Sequence, residues 1–453
     1  MKDTLKKTIY ISSKKLSKEI NFCKEFTYNG LYVGYGSDLQ KINEKCESLI
    51  ISFEKGCIEA DSIPKNNFIM IGKDNLVIVG SDMNTQAIFY INIPEKGIFA
   101  VFNDLFIAKD ILQGIGLEVE YDVEKNGENL TFFKYVSRLK HGEKIEVHYN
   151  NNNLKVEKNL QSDILLQPSC SMALDKAKER FYEVLFNATK ELTKWDEEIC
   201  ISLSGGIDSG TIAYILKKLN KKVCAYTLGT DWGNEYKEAQ ETADFLGINL
   251  IKIHLSNEEI LREVPNVIRY FAFKDVVPIE VALVAVSLYQ KLYKEIGKKM
   301  TFVTGYGSDL LNAGIYSNFN YYSELEDQIA NGLRKTQISN EFSNLFALNV
   351  GIKTIHPFWH SDVIKEALKI PVEYKVKDGK DKYFFRSMME GRLPASVAWR
   401  TKKGAHQGTG LSTYLKGALE SSFCNNYDNQ NDYQSIIKSI HKDIFLQGKY
   451  PWK

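Results

Sequence analysis

The stretch Ile199-Cys-Ile-Ser-Leu-Ser-Gly-Gly-Ile-Asp-Ser-Gly210 sets the reading of the whole chain. An apolar run with the composition of a buried strand enters Ser204-Gly205-Gly206, passes Asp208-Ser209, and continues into residues with helical spacing. The physics is that of an anion site. Two glycines let the backbone approach a phosphate with no Cβ in the way. The N–H groups of the turn and of the helix start point at negative charge. Ser204 and Ser209 add hydroxyl donors. Asp208 would be repelled by bare phosphate, so its presence implies a bridging cation, most simply Mg²⁺. No Gly-Lys-Ser/Thr follows, so this is not a Walker loop. A tight strand-to-helix turn is the plainer alternative for a lone Gly-Gly. The full Ser-Gly-Gly-x-Asp-Ser after a strand favours a nucleotide site.

Outward from this loop, strands and helices alternate. Met172 to Leu192 and Gly210 to Leu219 read as helices, Lys222 to Leu228 as a strand, Glu235 to Leu246 as a helix, and Asn249 to Leu255 and Thr301 to Thr304 as strands. That alternation predicts an α/β, doubly wound parallel sheet with ligands at the strand C-terminal ends. From Ser317 onward the chain reads mostly helical. Residues 1–165 differ. Phe68 to Gly72, Leu76 to Gly80, Ala87 to Ile93, Gly97 to Phe102 and Lys144 to His148 are short apolar or alternating runs between polar turns, as in a β-rich sandwich. The polar run from Tyr149 to Leu154 reads as a hairpin tip. A boundary near residues 161–171 separates this unit from a second, residues 170–453.

Composition narrows the function classes. The 453 residues carry 58 Lys+Arg against 57 Asp+Glu, a net charge of +1, which excludes a strong global field for gripping nucleic acid or an anionic membrane. Seven cysteines, an odd number without Cys-x-x-Cys or zinc spacing, suggest a reduced cytoplasmic protein. The start, Met1-Lys-Asp-Thr-Leu-Lys-Lys, has no apolar run of a signal peptide. Val276 to Leu288 is the longest apolar stretch; it reads as a buried helix rather than a span, which needs about 20 residues.

A second loop matters as much. In Thr301-Phe-Val-Thr-Gly-Tyr-Gly-Ser-Asp-Leu-Leu-Asn-Ala-Gly314 a strand again meets a Gly-rich turn holding one carboxylate. Gly305 begins that turn, and Asp309 supplies a second ligand for the cation whose first is Asp208. The Ser204 loop resembles that of the PP-loop ATP pyrophosphatases, which attack ATP at its α-phosphate and release pyrophosphate. Residues 170–453 resemble the synthetase domain of asparagine synthetase relatives. Asparagine-forming members carry Glu where this chain has Tyr306, and Asp-Glu where it has Asp309-Leu310. A tyrosine there resembles β-lactam and carbapenam synthetases, in which it works with a glutamate about 35 residues on; Glu341 stands at that position. Ile355-His-Pro-Phe-Trp-His-Ser-Asp-Val363, Gly379-Lys-Asp-Lys-Tyr-Phe-Phe-Arg386 and Trp399-Arg-Thr-Lys-Lys-Gly-Ala-His-Gln-Gly-Thr-Gly410 agree with the same branch. The resemblance implies ATP and Mg²⁺ as cofactors, Ser204, Gly205, Gly206, Asp208, Ser209 and Gly305 as ATP contacts, Asp208 and Asp309 as metal ligands, and an antibiotic-forming setting.

The chemistry also stands without the family. Making an amide from a carboxylate needs a better leaving group, and adenylation provides one. The attacking amine must be neutral, so a base must take its proton. Tyrosine, near pKa 10, is a poor base alone; a neighbouring carboxylate can orient its hydroxyl and accept the proton. Tyr306 with Glu341 is that pair. Lys402 resembles the family's catalytic lysine, with Lys403 as the one-residue alternative. Lys382 and Arg386, one turn apart on an expected helix, read as a solvated basic face or as pyrophosphate contacts. Glu280 interrupts an apolar helix and needs a partner, either an internal cation or a substrate amine.

The first domain weakly resembles the Ntn-type glutaminase of asparagine synthetase. Residue 2 is Lys and the first cysteine is Cys23, so no glutamine hydrolysis is expected and the domain reads as a degenerate scaffold. The expected activity is an ATP-dependent, AMP-forming ligase closing a lactam within one small amino-carboxylate. A lasso-type macrolactam cyclase, an intermolecular asparagine-synthetase-like ligase and a nucleotide-binding protein with a dead site are the alternatives. No nucleic acid or membrane partner is expected; a homodimer stays open.

Overall fold

The computed structural model describes residues 9–17, 24–28, 31–35, 49–52, 57–59, 68–80, 86–124, 131–140, 142–150, 153–160, 172–297, 299–316, 319–336, 339–401, 403–423 and 432–450. Its C-terminal half is built on five parallel strands: β1 (Glu198–Ser202), β2 (Lys222–Thr230), β3 (Asn249–Leu255), β4 (Met300–Val303) and β5 (Ile352–Ile355). They lie in the order β3-β2-β1-β4-β5, all parallel. The order reverses between β1 and β4, and that switch point is where a doubly wound sheet opens a crevice for a ligand. Strand β5 lies within the region read from sequence as helical. Four residues are too few to announce a strand among helices.

Helix α1 (Ile207–Lys218) follows β1 directly, and α2 (Tyr236–Leu246) links β2 to β3. Helix α3 (Val276–Ile296) runs 21 residues, well past the 13 read from sequence, and by length and composition alone could cross a bilayer. It instead lies against the protein core, with Ile279, Leu283, Val286, Leu288 and Leu292 nearly inaccessible. Burial pushes its Glu280 carboxyl up, and the Lys416 charge acts against that.

The amino-terminal half is two six-stranded antiparallel sheets. Period-two alternation assigns each face its partner. In the first sheet Ile9, Ile11, Tyr90, Phe99 and Val101 meet Ile69, Ile71, Leu76, Ile78, Ile145 and Val147 of the second. The intervening Tyr10, Phe89, Ile91, Ala100 and Phe102 share a second core with Val264, Ile268, Ile279 and Leu283 of the C-terminal half. Both faces are buried, so these strands read as continuous apolar runs. Glu143–Asn150 and Asn153–Leu160 pair as a hairpin, with Asn150 opposite Asn153. A bidentate ion pair also ties the halves: Arg269 donates to both carboxylate oxygens of Asp104 at 2.7 and 2.6 Å, fully buried, its guanidinium 4.1 Å from the Phe106 ring centroid.

Candidate active site

The site is built where β1 and β4 end. After Ser202 the chain turns through Ser204-Gly205-Gly206 into α1, with Asp208 in its first turn. Gly205 has φ +71°, and a Cβ there would lie 2.6 Å from the Glu238 carbonyl carbon and 2.8 Å from the Ala239 nitrogen, so only glycine fits. Ser204 N donates to Ser209 Oγ at 3.2 Å, and the two hydroxyls stand 3.3 Å apart. Beside Gly206 the space is open except for Ser204 Oγ.

The β4 loop presses on this one. A Cβ on Gly305 would stand 2.6 Å from Ser209 N and 2.7 Å from the Asp208 carbonyl carbon. The missing side chain lets the two loops touch and brings Asp208 and Asp309 together. Lys382 Nζ lies between them, 2.7 and 2.6 Å from the oxygens of Asp208 and 2.5 Å from Asp309 Oδ1.

This corrects the reading of Lys382 and Arg386 as a solvated face. Lys382 is fully buried and left-handed (φ +53°), just before the helix Tyr383–Met389. Burial alone would push its ammonium down; the two aspartates outweigh that and raise it. Arg386 is also buried and donates to the Asp381, Ala398 and Arg400 carbonyls. The two carboxylates offer oxygen donors of the kind Mg²⁺ takes, with Lys382 holding the place between them.

Tyr306 follows Gly305. Its ring rests on Phe342 (centroids 4.8 Å) and near His356 (6.2 Å), and Phe342 stacks on Trp359 at 3.8 Å and 8°. His356 Nδ1 shares a 2.7 Å hydrogen bond with Thr304 Oγ1, and burial pushes this imidazole down to about 4, so it is neutral. Part of the Tyr306 side chain, 37% of the residue's surface, remains exposed. Burial, then the charges of Glu341 and Asp309, push that hydroxyl well above the ordinary tyrosine value. Glu341 is half-buried and moved up to about 7, by burial first, against the pull of a Ser339 hydrogen bond and of Arg138. Of the two, the carboxylate is therefore the group that exchanges a proton near neutral pH. Tyr316 also feels both Glu341 and Asp309.

Lys402 lies outside the described residues. Two residues earlier, Arg400 Nη1 donates to the Gly205 carbonyl at 2.6 Å, and Nη2 to Glu241 at 3.2 Å. Exposed Lys403 lines a cavity of about 320 Å³ with Asn234, Glu235, Glu238, Arg400 and Gln407. Burial and Glu238 push Glu235 up to about 7, against Arg400 and Lys403. One site-shaping residue had no signal in the sequence. Lys375, buried, donates to the Leu311 carbonyl at 2.9 Å and so caps the short helix Ser308–Leu311 that carries Asp309; burial lowers it to about 7.

The chain is similar to known proteins. The asparagine synthase family model matches residues 180–349 and 330–439, more than half of the chain. The carboxyethyl-arginine β-lactam synthase of Streptomyces clavuligerus is 29% identical over 221 residues, 48% of this chain and 42% of that protein. The glutamine-hydrolysing asparagine synthetase B of Escherichia coli K12 is 28% identical over 255 residues, 52% of this chain and 46% of that protein. The aligned part is less than half the length of either relative.

Proposed function

We propose a reaction from one premise: this chain belongs to the asparagine synthase family. The reaction is ATP-dependent, AMP-forming amide synthesis on a small amino-carboxylate, with the amine and the carboxylate in one molecule, so that the product is a lactam. The observation that carries the reading is the meeting of the β1 and β4 loops, which brings Asp208, Asp309 and Lys382 to the same strand ends as Tyr306.

The substrate carboxylate attacks the α-phosphorus of ATP, the α–β bridge breaks, and pyrophosphate leaves. The Ser204-Gly205-Gly206 backbone, the hydroxyls of Ser204 and Ser209, and Gly305 line the phosphates. Asp208 and Asp309 would hold Mg²⁺, which would neutralise phosphate charge. Lys382, buried between the two aspartates, holds their loops together, and Lys402 takes the role of fixed cation for the developing negative charge. The substrate amine then attacks the acyl carbon, AMP leaves, and the ammonium proton passes to Glu341. Tyr306 keeps its own proton in the resting state and orients the amine toward the carboxylate, a relay across the pair. The sandwich, whose glutaminase-like ancestry belongs to this proposal, serves as scaffold. The cysteine pattern supports a cytoplasmic setting.

The test incubates the chain with ATP, Mg²⁺ and a panel of amino-carboxylates, beginning with the carboxyethyl-arginine in the Streptomyces relative's name. Product mass is read by mass spectrometry. Loss of one water within a single molecule supports the lactam reading. Joining of two molecules would instead support an intermolecular ligase like the Escherichia coli relative, and no AMP release with any panel member would count against both.

A further inference from the structure

The base pair is not walled by the C-terminal half alone. The short strand Val136–Arg138 belongs to the sandwich, at the edge of its first sheet, where it pairs with Phe89–Ile93. Its last residue, Arg138, is 3% exposed and reaches across the interface. Arg138 Nη1 donates to Asn340 Oδ1 at 2.5 Å, 202 residues away in sequence. Asn340 is itself buried, and its Nδ2 donates to the Phe271 carbonyl at 2.9 Å. Both ends of that amide are therefore fixed, and the next residue in the chain is Glu341.

We propose that Arg138, delivered to the cleft by the amino-terminal sandwich, is a positioning residue for the Glu341 carboxylate. The inference rests on the base role proposed above for Glu341 and goes beyond it, since it makes the sandwich a working part of the amide-forming site.

A neutral amide at 138 would suffice to hold Asn340. A buried guanidinium is costly to desolvate, and an anion close by offsets that cost. Glu341 is such an anion: its charge raises Arg138 against the burial that lowers the guanidinium to about 9, and Arg138 in turn lowers Glu341. Among the described residues, the other titratable groups coupled to this carboxylate are the hydroxyls of Tyr306 and Tyr316, which also feel Asp309. Among the described residues, Arg138 is the cation acting on Glu341. It keeps a desolvated carboxylate ionisable near neutral pH, and the Asn340 hydrogen bond sets where that carboxylate hangs.

The test uses the full chain without ligand. pH-difference infrared spectroscopy follows the buried carboxyl, and Glu341→Gln identifies its band by loss. Arg138→Gln keeps a donor for Asn340 but removes the charge; Arg138→Lys keeps the charge. The expected result is a midpoint raised by about half a pH unit or more in Arg138→Gln, about a threefold change in ionised fraction at a fixed pH below the midpoint, and an unmoved midpoint in Arg138→Lys. Should Arg138→Gln fail to fold, Arg138→His supplies the comparison within one protein, its midpoint rising as the imidazole loses its proton. An Arg138→Gln midpoint equal to wild type, or an equal rise in Arg138→Lys, overturns the inference. Product formation with carboxyethyl-arginine separates the two layers. If the midpoint moves as expected but Glu341→Gln still makes amide at the wild-type rate, the base role fails and the positioning role falls with it as a catalytic device.

Discussion

The Lys382 ammonium donates to both carboxylate oxygens of Asp208, at 2.7 and 2.6 Å, from a side chain with no exposed surface. A second carboxylate, Asp309, shares the same nitrogen. One buried ammonium thereby holds the two acidic loops together.

Removing that nitrogen leaves two carboxylates facing each other. Lys382→Met is expected to destabilise the fold by about 3–5 kcal/mol, the cost of breaking a buried pair from one side. Urea unfolding at pH 7 measures it. A loss under 1 kcal/mol would show that the two loops do not need the ammonium.

Glu341 bears on stability with the opposite sign. Its folded-state value, about 7, lies above the 4.5 of an ordinary glutamate, so the unfolded chain ionises more readily than the native one. The burden on the fold is absent below about pH 4.5 and complete above about 7. Glu341→Gln is therefore expected to stabilise the protein at pH 8 by about 1–2 kcal/mol, allowing for solvent screening of a half-buried group, and by much less at pH 5. Thermal melts at the two pH values check this; equal gains at both would contradict it.

The same ionisation governs rate. Amide formation is expected to rise with pH through about 7, where Glu341 becomes a competent base. Tyr306→Phe is expected to slow that step about 10²-fold while acyl-adenylate still accumulates. Single-turnover quenching resolves the steps; equal loss of adenylation would move Tyr306 out of the proton relay.

Lys402→Ala is expected to lower turnover by at least about 10²-fold, as for loss of one preorganised stabiliser of developing charge. Lys403→Ala, removing an exposed residue, is expected to change it less than about threefold. Steady-state pyrophosphate release with both variants decides; the reverse order would shift the catalytic lysine by one residue.

The parallel sheet was legible because Ser204 to Ser209 carries its chemistry locally, in a turn whose residue types have few other uses. The sandwich strands were legible as apolar runs, though not which face met which, since that depends on two separate cores. Strand β5 was too short to stand out. Lys382 and Arg386 misled for a physical reason: a basic pair one turn apart is normally solvated, and only the tertiary fold reveals two aspartates around the first and backbone carbonyls around the second. Arg138 gave no signal, because its partner lies 202 residues on and in the other half of the molecule. The expectation that Tyr306 works with Glu341 came from family resemblance, since the local residues carry no spacing rule for it; the structure adds that the Glu341 charge acts on the Tyr306 hydroxyl.

Attack at the α-phosphate is tested most directly by the nucleotide product. Phosphorus NMR of a turnover mixture containing the chain, ATP, Mg²⁺ and an accepted amino-carboxylate should show AMP and pyrophosphate in equal amounts, matching the amide formed. ADP and inorganic phosphate in their place would contradict the account.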